Sequence, residues 1–111
     1  MLLEAGADLG IREIGFNALL SLRLEKSFGI WSSEFTQAYS AGATGMDRWI
    51  DWSKDFIGKN AAKKERDGAM SDQVAVTIEV DSDDADASGY EPIWKDGVIV
   101  GFVTSGGYGH T

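Results

Sequence analysis

The sequence predicts an α+β fold, in which a short helical N-terminal segment precedes a segment made mostly of strands. Apolar residues recur at helical spacing early in the chain, within residues 17–26. Later, a β-branched alternating run covers residues 74–80, and an Asp-Gly pair at 96–97 separates two apolar runs. Helices and strands that are segregated along the chain in this way are typical of the α+β class.

The first predicted helix runs from about Asn17 to Lys26. Ala18, Leu19 and Leu22 recur at spacings of three and four residues, which puts them on one face. Asn17 is the predicted N-cap, and the positive charge of Lys26 suits the C-terminal end of a helix. The range 28–45, rich in Ser, Gly and Thr with aromatic residues between them, is predicted to be an ordered loop.

A second helix is predicted from about Gly58 to Arg66. Ser53 or Asp55 would cap its N-terminus, and Gly68 would close its C-terminus.

Three further segments are predicted to be extended. Residues 46–52 alternate in a way that favours a short strand, although tryptophan occurs on both faces. The run 74–80 is the clearest strand pattern in the chain. Two strands, Glu91–Lys95 and Val98–Ser105, would form a hairpin around the Asp-Gly turn.

Composition excludes several classes of function. The 111 residues carry a net charge of −8, which argues against nucleic acid or an anionic membrane as the main partner. The absence of cysteine excludes disulfides and thiolate catalysis and fits a reducing cytoplasm, the expected location. No apolar run approaches the ~20 residues that span a bilayer, and the first residues do not resemble a signal peptide. The length allows one domain at most, or part of one.

The motifs that could carry chemistry are incomplete. Gly106, Gly107 and Gly109 match neither a P-loop nor the dinucleotide fingerprint that a site for FAD would require, so a turn is expected there. The acidic run 81–86 lacks the glycine and closing glutamate of an EF-hand loop, and His110 has no partner ligands. We therefore predict no metal site and no complete catalytic constellation.

Arg23 and Glu25 are the charged residues of interest in the first helix. They lie two positions apart, so they cannot pair with each other on a helix surface. At least one is expected to point inward and bond elsewhere. A structural ion pair or a helix cap is the first interpretation, and contact with a ligand is the second.

Three motifs in order resemble one known family. They are "SLRLEK" at 21–26, "GMDRWIDW-SKDFIGKNAA" at 45–62 and "EPIWKDGVIVGFVTSGGYGHT" at 91–111. Together they resemble the folate-binding aminomethyltransferases, typified by the T-protein of the glycine cleavage system. The same module forms the C-terminal part of dimethylglycine and sarcosine dehydrogenases, and the "RLEK", "DFIG" and "TSGGYGH" stretches look closer to that dehydrogenase branch.

The resemblance implies a domain organisation and a chemistry. Residues 1–44 would be the end of the family's central domain, and 45–111 an incomplete C-terminal antiparallel β-barrel of the T-protein type. The implied activity is transfer of a one-carbon unit from dimethylglycine or sarcosine to tetrahydrofolate. The family's catalytic aspartate and the acidic residue that holds the pterin belong to segments not found upstream of Phe16, so this chain is expected to be an internal fragment, inactive alone.

The site residues that the resemblance suggests are few. Arg23, Glu25 and Trp31 are candidates for lining a folate slot, and Phe35 accompanies Trp31 in the loop. Plugging the domain junction is the competing role for both aromatic side chains. The T-protein arginine that holds the folate glutamate tail corresponds to Leu19 here, so that contact is not carried over.

The alternative is a barrel-type interaction or scaffolding domain without a ligand. Open strand edges would then pair between chains and give a homodimer.

Overall fold

A computed structural model describes residues 1–68 and 72–110. It contains three α-helices, α1 (Leu2–Ala5), α2 (Phe16–Glu25) and α3 (Lys59–Arg66), and two strands, β1 (Pro92–Lys95) and β2 (Val98–Phe102). Single turns of 3₁₀ helix cover Ala7–Leu9 and Asp47–Trp49. Helices thus precede a two-stranded antiparallel sheet, in the order that the sequence predicts. None of the described helices is long and apolar enough to cross a membrane.

Helix α2 confirms the first predicted helix but not its cap or its packed face. It begins at Phe16, and the extended residue Gly15 precedes it without any side-chain cap, so the N-cap prediction for Asn17 is wrong. Leu19 and Leu22 remain 50% and 46% exposed. The more covered residues are Leu20, Ser21 and Arg23–Glu25, because the C-terminal segment of the chain lies against that side of the helix.

The strand predicted at 46–52 is wrong. The N–H of Trp49 donates to the Met46 carbonyl (3.0 Å), and the N–H of Ile50 donates to the Asp47 carbonyl (3.1 Å), so the chain turns instead of extending. Gly45, at a φ of 68°, sets up this turn. Alternation alone does not make a strand, because a strand needs a neighbour for its backbone groups, and here local bonds satisfy them first.

The strand predicted at 74–80 also fails to form. No residue of this run pairs with another strand in the described part of the chain. Its one backbone bond there is from the N–H of Ala75 to the carbonyl of Ala43 (2.7 Å). The β-branched pattern is present, but a strand forms only against a partner, and β1 and β2 pair with each other.

Helix α3 confirms the second predicted helix, and the hairpin forms around the predicted turn, although β1 begins at Pro92 and β2 ends at Phe102, short of the predicted Ser105. Gly58, at a φ of 89°, precedes α3 in place of the predicted Ser53 or Asp55 cap, and Gly68 follows it at 130°. In the hairpin, Asp96 and Gly97 have φ values of 51° and 78°, as a type I′ turn requires. The pairing runs from Lys95 opposite Val98 to Pro92 opposite Phe102, with an irregularity between Ile93 and Trp94.

The hydrophobic interior is small. Ala43 is the only buried hydrophobic residue among those that the structure describes. Side-chain hydrogen bonds join α2 and the loop after it to the chain that follows β2.

Candidate functional site at the junction of α2 and the C-terminal segment

An ion pair between Arg23 and Glu34 lies at the centre of this junction. Arg23 Nη1 is 3.4 Å from Glu34 Oε2, and the two side chains are only 11% and 12% exposed. The same Nη1 donates to the Phe28 carbonyl (3.2 Å), just beyond the end of α2. Arg23 therefore points inward and bonds elsewhere, as its spacing from Glu25 predicted.

The Glu34 carboxylate gathers donors from three separate segments. Oε2 accepts the N–H of Ile30 (2.8 Å) together with Arg23, and Oε1 accepts the Ser105 hydroxyl (2.6 Å). Next to it, the Ser33 hydroxyl donates to the Thr104 carbonyl (2.8 Å). One side chain thus joins the helix, the loop after it and the chain after β2. Glu34 and Ser105 are 71 positions apart in the sequence.

These contacts lower the pKa of Glu34. Burial raises the pKa of this carboxyl, but hydrogen bonds from Ser105, Thr104 and Ile30 and the charge of Arg23 together lower it below its ordinary value. Glu34 is therefore ionised at neutral pH, and its oxygens are already occupied by donors. A carboxylate in this state suits holding segments together better than abstracting a proton.

The glycine-rich end lies along α2, and its glycines are there for close approach. A Cβ on Gly106 would come within 2.0 Å of the Ala87 carbonyl oxygen. A Cβ on Gly107 would lie 3.1 Å from Leu24 Cδ1. The Ser21 hydroxyl donates to the Tyr108 carbonyl (2.6 Å). The expectation of a turn in place of a phosphate loop agrees with these contacts, because backbone and helix fill the space beside the glycines.

Glu25 faces the same segment from the last turn of α2. Its Oε1 accepts the N–H of His110. The exposed His110 ring packs edge-on against Tyr108, with ring centroids 5.0 Å apart. Both charged residues of the helix thus contact the protein itself: Arg23 through Glu34, and Glu25 through the C-terminal backbone.

The third predicted site residue, Trp31, is placed differently. Its side chain is 83% exposed in the loop after α2, so it does not plug the junction. Phe35 does pack inward, since a Cβ on Gly29 would come within 2.7 Å of its ring. The structure therefore brings Arg23 and Glu25 to one junction and leaves the Trp31 ring open to solvent.

Sequence reasoning missed Glu34, Ser105 and Ser33. The inward arginine was a signal that a carboxylate must lie near it, but eighteen acidic residues were available to choose from. The contact that singles out Glu34 joins distant segments, and no local spacing reports such a pairing.

A second concavity lies between the 40–50 turns and α3, with a volume of about 340 Å³. Three of its polar side chains contact other protein groups: Glu65 accepts the Ser40 hydroxyl, and the Arg66 guanidinium lies over the Trp52 ring at 4.3 Å. Within residues 1–68 and 72–110, no three His, Asp or Glu side chains come together as metal ligands could.

Two family models match the chain in succession. The GCVT N-terminal domain matches residues 1–54, and the glycine cleavage T-protein C-terminal barrel domain matches residues 73–111. Arg23 and Glu34 fall in the first match and Ser105 in the second, so the junction joins the two matched regions.

Curated relatives resemble nearly the whole chain. It is 37% identical to "Dimethylglycine dehydrogenase, mitochondrial" of Mus musculus over 99% of its length and 13% of the relative's. It is 30% identical to "Aminomethyltransferase" of Koribacter versatilis (strain Ellin345), over 96% of the chain and 28% of that relative. It is also 30% identical to "Pyruvate dehydrogenase phosphatase regulatory subunit, mitochondrial" of Mus musculus, over 98% of this chain and 13% of that relative.

The chain therefore spans between about an eighth and just over a quarter of the length of these relatives. No solved structure matches it. The two family matches and these relatives agree with the three sequence motifs: the chain belongs to the glycine cleavage T-protein family.

Proposed function

We propose that the chain is part of a tetrahydrofolate-dependent one-carbon transfer module that acts on a methylated glycine, dimethylglycine or sarcosine. The observation that carries this proposal is the succession of the two family matches over one short chain. The relatives named for dimethylglycine dehydrogenase and aminomethyltransferase support it. A cytoplasmic location stays a prediction from the sequence.

In this proposal β1 and β2 are strands of an antiparallel barrel of the T-protein C-terminal type. The domain boundary lies between residues 44 and 45. Glu34 and Ser105 then hold the end of the central domain against the barrel.

The three folate-slot residues have different roles in this proposal. Trp31 is the side chain that contacts the pterin or benzoyl ring, because its indole is open to solvent and aromatic stacking tolerates a flat ligand. Arg23 and Glu25 are positioning residues, since their charged groups are engaged with Glu34 and with the backbone of His110.

The test is titration of the chain with a stable reduced folate, 5-formyltetrahydrofolate, followed by calorimetry. We expect saturable binding that weakens about tenfold in Trp31→Ala, the loss of one stacking contact. Trp49→Ala is the matched control, because Trp49 is 75% exposed in a different turn. Absence of saturable binding, or an equal loss in both variants, would contradict the folate role.

We also propose that the chain does not catalyse the transfer alone. The resolved pKa shifts, of Glu34, Asp51 and Glu91, are all downward, and the oxygens of all three carboxylates accept hydrogen bonds from the protein itself, so these groups suit structural roles better than proton abstraction. Incubation with tetrahydrofolate, dimethylglycine and a flavin dehydrogenase that oxidises the N-methyl group to the iminium should form no methylenetetrahydrofolate above the rate measured without this chain. Sustained turnover would refute this part.

A second candidate function is a non-catalytic interaction or scaffolding domain. The relative named as a regulatory subunit favours it. It predicts no folate binding and an unchanged titration heat in every Trp31 variant, so the same calorimetry separates the two functions.

A further inference from the structure

Residues 30–35 form a closed turn that carries Trp31 at its tip, called the Trp31 turn below. The Ile30 carbonyl accepts the N–H groups of residues 33–35, at distances of 3.1–3.2 Å. The N–H of Ile30 in turn donates to Glu34 Oε2 (2.8 Å). Both backbone polar groups of the residue before Trp31 are therefore engaged, and the direction in which the chain enters Trp31 is fixed.

The base of the Trp31 turn is bound to the chain that follows β2. The Ser33 hydroxyl donates to the Thr104 carbonyl (2.8 Å), and the Ser105 hydroxyl donates to Glu34 Oε1 (2.6 Å). Two neighbouring residues of the turn thus bind two neighbouring residues of the C-terminal chain. Because the other oxygen of Glu34 holds the N–H of Ile30, a single carboxylate connects Ser105 to the residue before Trp31.

The chain after β2 is also held from its other side. The N–H of Tyr90 donates to the Val103 carbonyl (2.6 Å), and the N–H of Val103 donates to the Glu91 carbonyl (2.8 Å). Farther along, the N–H of Gly106 donates to the Ser88 carbonyl (3.1 Å). The segment that offers its hydroxyl to Glu34 is therefore fixed by backbone bonds before and after that hydroxyl.

The tip and the base of the Trp31 turn differ in exposure. Trp31 is 83% exposed, whereas the Glu34 side chain is only 12% exposed. The indole thus projects from a base that is held by contacts with the rest of the chain. A side chain presented in this way has less backbone freedom to lose when a ligand binds, and such preorganisation improves affinity.

We propose that Ser105 is a positioning residue for Trp31 and acts through Glu34. Its bond to Oε1 fixes the carboxylate whose Oε2 holds Ile30. Docking of the C-terminal chain and binding of a flat aromatic ligand at Trp31 are then coupled, and each strengthens the other by the same factor. The ligand part of this inference rests on the proposed folate function, whereas the positioning part does not depend on it.

Hydrogen exchange tests the positioning part without any ligand. In Ser105→Ala the N–H of Ile30 should exchange about fivefold faster, the effect of losing one hydrogen bond. The rate is measured by NMR relative to the N–H of Ala62, which bonds at the start of α3. Ser21→Ala is the matched control, because the Ser21 hydroxyl also binds the C-terminal segment but does not bond to the Trp31 turn. It should leave the relative rate of Ile30 unchanged.

Calorimetric titration with 5-formyltetrahydrofolate tests the coupling. Ser105→Ala should weaken binding about fivefold, at the low end of typical coupling between sites. Ser105→Thr keeps the hydroxyl and should restore the affinity of the wild type. When Trp31→Ala is already present, Ser105→Ala should weaken binding no further, because a residue that acts through the indole has nothing left to position. A purely structural role would weaken binding with and without Trp31.

The outcomes separate this proposal from the folate function. An unchanged relative exchange rate of Ile30 in Ser105→Ala, or an equal rise in Ser21→Ala, would overturn the positioning role. Equal losses of affinity with and without Trp31 would overturn the coupling. If the wild type binds no folate, the folate function fails, and the exchange experiment still decides whether Ser105 positions the turn.

A second variant keeps the test open if Ser105→Ala does not fold. Ser33→Ala removes the other hydroxyl bond between the Trp31 turn and the C-terminal chain, the one to Thr104. It should raise the relative exchange rate of Ile30 and weaken folate binding only when Trp31 is present. Failure of both expectations in this variant would overturn the proposal as well.

Discussion

The junction around Glu34 and the 74–80 segment differ in how many partners from distant parts of the chain each one meets. Both were expected to be ordered parts of the fold, one as a helix with its following loop and the other as a strand. At the junction, donors from three distant segments meet one carboxylate. In the 74–80 segment only Ala75 has a backbone partner within the described chain. Order in this protein thus follows the supply of partners more closely than it follows local propensity.

Among the changes proposed below, removing the Glu34 carboxylate should lower the free energy of unfolding the most. Glu34→Ala leaves the Arg23 guanidinium without its counter-charge and takes the acceptor from Ser105 and Ile30. We expect a loss of about 3 kcal/mol in the free energy of unfolding, measured by urea titration at one fixed protein concentration. Glu4→Ala is the control, because the pair of Glu4 with the N-terminus is fully in solvent, with side chains 83% and 95% exposed. Equal losses in the two variants would contradict the assignment of the junction.

The next largest effect should come from the glycine that lies closest to another backbone. Gly106→Ala sets a methyl group against the Ala87 carbonyl, which cannot rotate away as a side chain can. We expect a loss of about 2 kcal/mol, in the range for overpacked sites. Gly109→Ala is the matched control, since the nearest atom to its Cβ would be Glu25 Cγ at an ordinary 3.4 Å. A larger loss in Gly109→Ala would show that the close approach at residue 106 is not what matters.

Acid should weaken the junction less than deletion does, because a protonated carboxyl still fills its place. The folded-state pKa of Glu34 lies below its ordinary value of 4.5, so its stabilisation is fully present above that pH. It is lost as the pH falls through the folded-state pKa. The difference in free energy of unfolding between the wild type and Glu34→Gln should be constant from neutrality to about pH 5 and shrink in more acid solution. A difference that grows on acidification would reverse the sign of this coupling.

The smallest effect on the monomer should come from the 74–80 segment. Ile78→Thr alters a side chain that is 51% exposed and has no strand neighbour, so at dilute concentration we expect a change within about 0.5 kcal/mol. A loss well above that value would show that the segment packs against other parts of its own chain.

Local sequence patterns correctly predicted the elements whose backbone hydrogen bonds join residues close in the chain. Asp96 and Gly97 carry the turn geometry in their own residue types, and the hairpin forms where the sequence placed it. Helix α3 lies between Gly58 and Gly68, both of which adopt positive φ. The sequence predicted a terminating glycine only at Gly68. The strand predicted at 74–80 is wrong, although the β-branched pattern is present, because strand pairing depends on residues elsewhere, which a single run of sequence does not contain.

The candidate site was predictable only in part. The spacing of Arg23 and Glu25 was enough to predict an inward charge, and Arg23 confirmed it. The identity of the acceptor was not predictable, because Glu34 and Ser105 come together across 71 residues of chain. The folate roles of Arg23, Glu25 and Trp31 stay proposals, and the exposed ring of Trp31 is the one that a ligand can reach directly.

The Asp96-Gly97 turn has a consequence for the order of events during folding. It links residues that are close neighbours in the chain, so β1 and β2 can meet within about 1–10 μs. The contact from Ser105 to Glu34 must close a far longer loop, and loop entropy delays such contacts. A two-stranded hairpin is only marginally stable by itself. We therefore expect the hairpin to form and unfold repeatedly in the unfolded ensemble. It becomes stable once Ser105, in the chain after β2, binds Glu34.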